Sequence, residues 1–387
     1  MRRRAFLQAT LTATATAALT RPAEAVALTA GDLSPTRRAP TGPLRLNSNE
    51  NALGPSEAAR RAIVAGIGEA NRYTHLVATE LRQRVAEHHG VGAESVVFGN
   101  GSTEVLQMAV QAMAVRETVP AGVSAGGAQR ADAVAAPAPG GPARLVVADP
   151  TFEHVEDYAG PWGLELVKVP LAADHSHDLD RMREAAGAAV RAGRPTLVYV
   201  CNPNNPTGSL TPTGEVESWI REAGDEVVFL VDEAYFEYVD HPTYRSALPL
   251  AGLRLGYAVA HPRTARRIAA FSANSNLNIM GLLAAGASLG DRDHVRRSLE
   301  ANEAARRVTY AVLDELGLER IPSHTNFVMH RVPGDVRDYI RRMAERDVRV
   351  GRPFPPMLGH NRLSFGTPDE MERFAGVLRE FRRAGWV

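Results

Sequence analysis

Apolar residues along the chain follow two alternating periods. Short, mainly apolar runs stand at 96–98, 144–148, 164–169, 196–201 and 227–231. Between them lie segments whose apolar residues return every three or four positions, at 55–67, 76–89, 103–115, 178–192 and 213–223. The first pattern predicts buried strands and the second amphipathic helices. Their regular alternation predicts a mostly parallel sheet covered by helices on both faces, a three-layer α/β architecture. Such sheets bind ligands outside the carboxyl ends of their strands, and Phe152, Asn205 and Asp232 stand at such ends. Beyond residue 257 the pattern changes. Helical spacing over 263–271, 281–289, 294–316, 335–345 and 369–383 surrounds two short strand-like runs, 326–330 and 361–365. This predicts a large domain over 46–262 and a smaller α+β domain over 263–387. Residues 117–142 are Ala-, Gly- and Pro-rich without a period and read as a surface insertion.

The N-terminal 45 residues fall outside this alternation. Arg2-Arg3-Arg4-Ala5-Phe6-Leu7 precedes a threonine-diluted apolar run and Ala23-Glu24-Ala25. That order is similar to a twin-arginine export signal over residues 1–25, followed by an arm over 26–45. The expectation is an exported protein, with residence in the cytoplasm as the alternative. The apolar run is too short for a permanent membrane anchor.

Charge adds two constraints. Lys plus Arg and Asp plus Glu balance at 44 each, so no basic field invites nucleic acid. All but one of those basic residues are arginine. The exception, Lys168, is the only amine side chain open to covalent chemistry. The single Cys201 excludes an internal disulfide and reads as a buried strand end.

Several local patterns carry candidate chemistry. Gly99-Asn100-Gly101-Ser102-Thr103-Glu104 joins a strand to a helix start, where free backbone N–H groups would cradle a phosphate. The same residues also make a plain helix cap. Asn202-Pro203-Asn204-Asn205-Pro206-Thr207-Gly208 cannot be a regular element and gathers amides in one place. Asp232 ends an apolar strand, as a buried carboxylate would. Asp174-His175-Ser176-His177-Asp178 has metal-ligand residue types, but its position before a helix favours a solvated loop with Asp178 as N-cap.

Together with Asp232-Glu233-Ala234-Tyr235 and Gly252-Leu253-Arg254-Leu255-Gly256-Tyr257, the NPNNPTG string resembles the class I/II aminotransferases of pyridoxal-phosphate fold type I. LNSNENALGP at 46–55, GNGSTE at 99–104 and RLSFGTPDE at 362–370 are similar in particular to histidinol-phosphate aminotransferases. The resemblance implies pyridoxal 5'-phosphate as cofactor, with an amino acid and a 2-oxo acid as substrates. It assigns Asp232 to the pyridine nitrogen, and Asn205 and Tyr235 to the ring oxygen. Phe152 would stack on the ring. Ser102, Thr103 and Arg254 would hold the phosphate, and Tyr73 would reach over from a neighbouring subunit of a homodimer. Arg362 would fork onto the substrate α-carboxylate, and Asn51 would join the substrate site.

One expected residue has no counterpart. The family holds its cofactor as a Schiff base on a lysine of a Ser-Lys pair shortly before the Gly-Leu-Arg motif. Here that stretch reads Tyr244-Arg245-Ser246-Ala247-Leu248-Pro249-Leu250. The link from Tyr238 to Ala251 is short of a further strand, about 15–20 residues. The reading is an aminotransferase by descent in which one strand has been deleted with its lysine. The alternative is a non-catalytic exported protein that binds pyridoxal phosphate or an amino acid. Lys168 is not expected to substitute.

Overall fold

A computed structural model of the chain describes residues 42–115, 142–242, 244, 255–273 and 276–387. The predicted signal, nearly all of the predicted insertion, and Arg254 lie outside the described residues.

The apolar runs form the expected parallel sheet. β3 (Arg144–Asp149), β4 (Glu165–Pro170), β5 (Thr196–Cys201) and β6 (Val227–Asp232) are hydrogen-bonded in the order β4-β3-β5-β6. All three pairings are parallel. Register aligns Asp149 with Pro170 and Cys201 with Asp232, so these residues share the carboxyl edge. β5 lies inside the sheet, and each of its six residues is buried, which explains its unbroken apolar sequence. Helices α4 (His154–Ala159), α5 (Leu179–Arg191) and α6 (Thr213–Glu222) make the crossovers. Asp178 caps α5, its side chain accepting from the Arg181 N–H at 3.1 Å. The loop before that cap departs from expectation. His177 is 4% exposed rather than solvated, because its backbone N–H and Nδ1 both reach the Thr211 hydroxyl, at 3.0 and 2.7 Å.

Two strands stand apart from this sheet. β2 (Val96–Gly99) pairs antiparallel with β7 (Gly256–Val259), which the periodicity did not predict. Helix α1 (Glu57–Gly66) and helix α2 (His75–His89) precede β2, and α3 (Ser102–Ala114) follows it. The remaining helices are α7 (Pro262–Ala269), α8 (Ile279–Ser288), α9 (Arg292–Glu315), α10 (Val336–Ala344) and α11 (Pro368–Arg383). A separate apolar core gathers α9, α10 and α11 with the antiparallel pair β8 (Phe327–Arg331) and β10 (His360–Ser364). Leu44 and Leu46 of β1 (Leu44–Leu46) join that C-terminal core, because β1 pairs in parallel with β9 (Val348–Val350). Thus a strand from the start of the described chain is packed with elements from its end. The first strand also leads directly into the 46–55 loop, carrying its asparagines to the carboxyl edge of the sheet. Among the described residues no helix is long and apolar enough to cross a membrane.

Candidate active site

Asp232 ends β6 with 8% exposure. Its Oδ2 accepts the Tyr199 hydroxyl at 2.9 Å and its Oδ1 accepts the Ala234 N–H at 3.1 Å. Burial pushes the carboxyl pKa up, and these two donors oppose that shift. The NPNNPTG loop packs beside it as a closed hydrogen-bond system. Asn202 exchanges bonds with the Thr211 backbone at 2.8 and 3.0 Å. Asn204 donates to the Pro150 carbonyl and to Thr207 Oγ1. Gly208 turns the loop with φ of +73°, a conformation few side chains tolerate. Asn205 is left facing outward from this frame.

Four side chains meet at that point. The Tyr235 hydroxyl accepts from Asn49 Nδ2 at 3.0 Å and from Asn205 Nδ2 at 3.4 Å. Burial pushes the Tyr235 phenol up to about 12, so it stays protonated at neutral pH. Arg362, 8% exposed, donates to Asn205 Oδ1 at 2.7 Å and to the Asn47 carbonyl at 3.0 Å. Its guanidinium lies over the rings of Phe354 and Phe327, 4.6 and 5.5 Å from their centroids, and its Nε has no hydrogen-bond partner. Burial lowers Arg362 to about 10, which still leaves a full cation facing the loop asparagines. Asn51 takes a different direction, donating to Ser298 Oγ at 3.0 Å and accepting the Leu53 N–H. Asn49, two residues earlier in the same loop, makes the contact with Tyr235. It was missed because spacing alone does not distinguish asparagines in an irregular segment.

The other expected residues occupy separate places. Ser102 and Thr103 open α3, whose N-terminus carries no side-chain cap. Glu104 is turned aside, bound by the Asn100 N–H at 2.5 Å and by Asn276 Nδ2 at 2.6 Å. Asp232 and Ser102 line a common cavity. Phe152 packs against the cluster that holds Tyr199 and Cys201, its ring edge-to-face with His154 at 4.7 Å. Tyr73 is 78% exposed, near Leu76 at 75% and Ile67 at 62%.

Lys168 lies away from Asp232. It is on β4, the outer strand at the opposite edge from β6, three strand spacings or about 14 Å across the sheet. Its Nζ contacts Asp149 and Glu156, each at 3.0 Å. Burial lowers its pKa, but hydrogen bonds and charge from Glu156 and Asp149 outweigh that and raise it. It is a protonated ammonium in a two-carboxylate clamp, not a nucleophile.

A cavity of about 490 Å³ separates β6 from β7. It is lined by Val228 and Leu230 of β6, Ala258 of β7, and Val105 and Ala109 of α3. Among the described residues β6 pairs only with β5, and β7 only with β2. Five of the six β6 residues are half-buried, whereas all of β5 is buried, so among the described residues no strand covers the outer flank of β6.

The chain matches the model of the aminotransferase class I and II family over residues 41–378. It is 31% identical to histidinol-phosphate aminotransferase from Bacillus subtilis (strain 168), over 87% of this chain and 91% of that protein. It is 33% identical to histidinol-phosphate aminotransferase 1 from Cupriavidus pinatubonensis, over 87% of this chain and 88% of that protein. The structure of histidinol-phosphate aminotransferase from Sinorhizobium meliloti in complex with pyridoxal-5'-phosphate superposes with a TM-score of 0.74. It is 25% identical and covers 89% of this chain and 91% of the other. Aspartate aminotransferase from Thermus thermophilus with maleate, at 20% identity, shares the fold with a TM-score of 0.66 over 87% of this chain and 92% of that one. The architecture is that of the pyridoxal-phosphate-dependent transferases of fold type I. The chain belongs to the class I and II aminotransferase family.

Proposed function

We propose that this protein is a histidinol-phosphate aminotransferase-like member that holds pyridoxal 5'-phosphate without a covalent anchor and transaminates inefficiently or not at all. The observation that carries this reading is the coexistence of a buried Asp232 with a β6–β7 cavity and a clamped Lys168. The polar residues present fit the cofactor. Asp232 suits a protonated ring nitrogen, Tyr235 and Asn205 suit the ring oxygen, and Ser102 with Thr103 at the uncapped α3 start suits the phosphate. Arg254 belongs to the same set by its motif. Arg362, with Nε unspent, suits a substrate carboxylate. Bound there, the cofactor supplies an electron-withdrawing ring; the protein supplies orientation and charge. The covalent anchor does not fit, since no lysine stands near Asp232. The half-buried flank of β6 and the cavity beside it support the loss of one strand together with that lysine.

The test is incubation with pyridoxal phosphate, gel filtration, borohydride reduction and peptide mapping. Cofactor retained without a reduced lysine adduct is expected. An adduct on Lys168, or passage through the column without cofactor, overturns the reading.

Two further parts of this reading concern assembly and location. Exposed Tyr73, Leu76 and Ile67 support a homodimer in which Tyr73 reaches the partner's site. Light scattering should return twice the monomer mass, and Tyr73→Ala should weaken cofactor retention. Residues 1–25 would direct export as a folded protein; fused to a reporter, they should carry it out of the cytoplasm only while Arg2, Arg3 and Arg4 are intact. The two-domain division at residue 262 goes with this reading.

A further inference from the structure

β5 is aliphatic at Leu197, Val198 and Val200, yet it carries a tyrosine at 199 that is fully buried. A phenylalanine would fill nearly the same space, and a buried hydroxyl costs stability unless it finds a partner. Its partner is Asp232. Register explains the reach: Cys201 lies directly opposite Asp232, and Tyr199 sits two residues earlier on the same face, the diagonal neighbour across the strand pair. The hydroxyl has one proton, and the 2.9 Å bond to Asp232 Oδ2 uses it. The other carboxylate oxygen takes the Ala234 N–H, so the plane of the carboxylate is set by one donor from β5 and one from the loop that follows β6.

No described cation pairs with Asp232. The titratable groups facing it are Tyr199 and Cys201 of β5 and Tyr235 of the following loop, none of them positive. The Cys201 thiol reaches the Pro203 carbonyl at 3.5 Å and also lies within hydrogen-bonding reach of the Tyr199 hydroxyl. Tyr199 is therefore the one side chain donating to a carboxylate buried without an ion-pair partner among the described residues.

We propose that Tyr199 is a positioning residue that keeps Asp232 ionised and aimed at the ring nitrogen of the cofactor. This rests on the cofactor reading given under Proposed function. By stabilising the carboxylate, the hydroxyl lowers its proton affinity, so a proton shared between the carboxylate and a pyridine nitrogen stays on the ring. Burial alone pushes the opposite way, and the phenol itself, driven well above its ordinary range, keeps its proton to donate.

The experiment is a carbon-13 carboxyl titration of aspartate-labelled protein, with Asp232 assigned as the signal lost in Asp232→Asn. In the empty protein, Tyr199→Phe should raise the Asp232 midpoint by about one to two units, the worth of one charge-assisted hydrogen bond. Ring-fluorinated tyrosine at position 199, a more acidic phenol of similar shape, should lower it. This second protein decides the matter if the phenylalanine variant does not fold. With nitrogen-15-labelled pyridoxal phosphate bound, the ring nitrogen signal should move toward its unprotonated position in Tyr199→Phe. An Asp232 midpoint unmoved by both replacements overturns the proposal. If the wild-type protein takes up no cofactor, the cofactor reading fails, while the carboxyl titration still decides whether Tyr199 controls Asp232.

Discussion

Asp232 and Arg362 are both ionisable and almost fully buried, and each is held by neutral partners rather than by an opposite charge. Burying unpaired charge is costly, so a fold keeps such a pair of sites when a ligand completes them. Replacing Asp232 by Asn should weaken retention of pyridoxal phosphate roughly tenfold to a hundredfold, the loss of one charged hydrogen bond, measured by equilibrium dialysis. Arg362→Lys should leave that retention intact and weaken amino-acid carboxylate binding by a similar factor, because an ammonium cannot reproduce the guanidinium fork. By contrast, Lys168→Met should change neither, and should alter stability by less than about 1 kcal/mol, as befits a half-exposed ion pair. At this scale the motif strings identified Asn205, Asp232, Tyr235 and Arg362, which the folded chain brings together. They did not distinguish Asn49 from Asn51. Tyr199 was legible only as a polar tip in an aliphatic strand; its partner depends on β5–β6 register.

The elements were mostly readable because each buries one clear face. β5 and helix α11, the latter opened by the Thr367–Glu370 capping box, lie within a residue of their predicted bounds. β1, β9 and β7 were not predicted, for they are only three or four residues long and acquire a partner only through tertiary contact. Gly256 shows what holds β7 in place. A Cβ there would lie 2.2 Å from the Ser102 nitrogen and 2.3 Å from the Gly101 carbonyl carbon, both backbone atoms. Gly256→Ala should therefore push β7 off the α3 start, destabilising the protein by about 1–3 kcal/mol or more in urea and loosening the phosphate end of the site with it. The β6–β7 cavity yields an opposite prediction. Exchanging residues 245–254 for a segment about 15–20 residues longer that carries a Ser-Lys pair should raise the melting temperature and place a borohydride-trapped adduct on the new lysine. No gain in either would show that the cavity is not a lost strand position.

For the whole molecule, two buried histidines tie stability to pH. Burial depresses His177 and His330 to about 4 each, from an unfolded value of 6.5. Between those values the unfolded chain binds more protons, so stability is fully present above pH 6.5 and is lost as pH falls toward 4. The loss should be about 2 kcal/mol per histidine by pH 5, read as a falling urea midpoint. His330→Phe should flatten the slope by about half, since its site between Tyr339 and the β8 backbone accepts an aromatic ring.

The sequence by itself determined the strand–helix alternation, the carboxyl-edge location of the candidate residues, the family resemblance and the scarcity of lysine. These depend on local periodicity and on residue identity, both complete in one dimension. Only the tertiary structure decided that Lys168 is across the sheet in a carboxylate clamp, that Asn49 faces Tyr235, that Tyr199 holds Asp232, and that a cavity separates β6 from β7. Each of these is a relation between residues far apart in the chain, set by strand order and register, which periodicity does not encode.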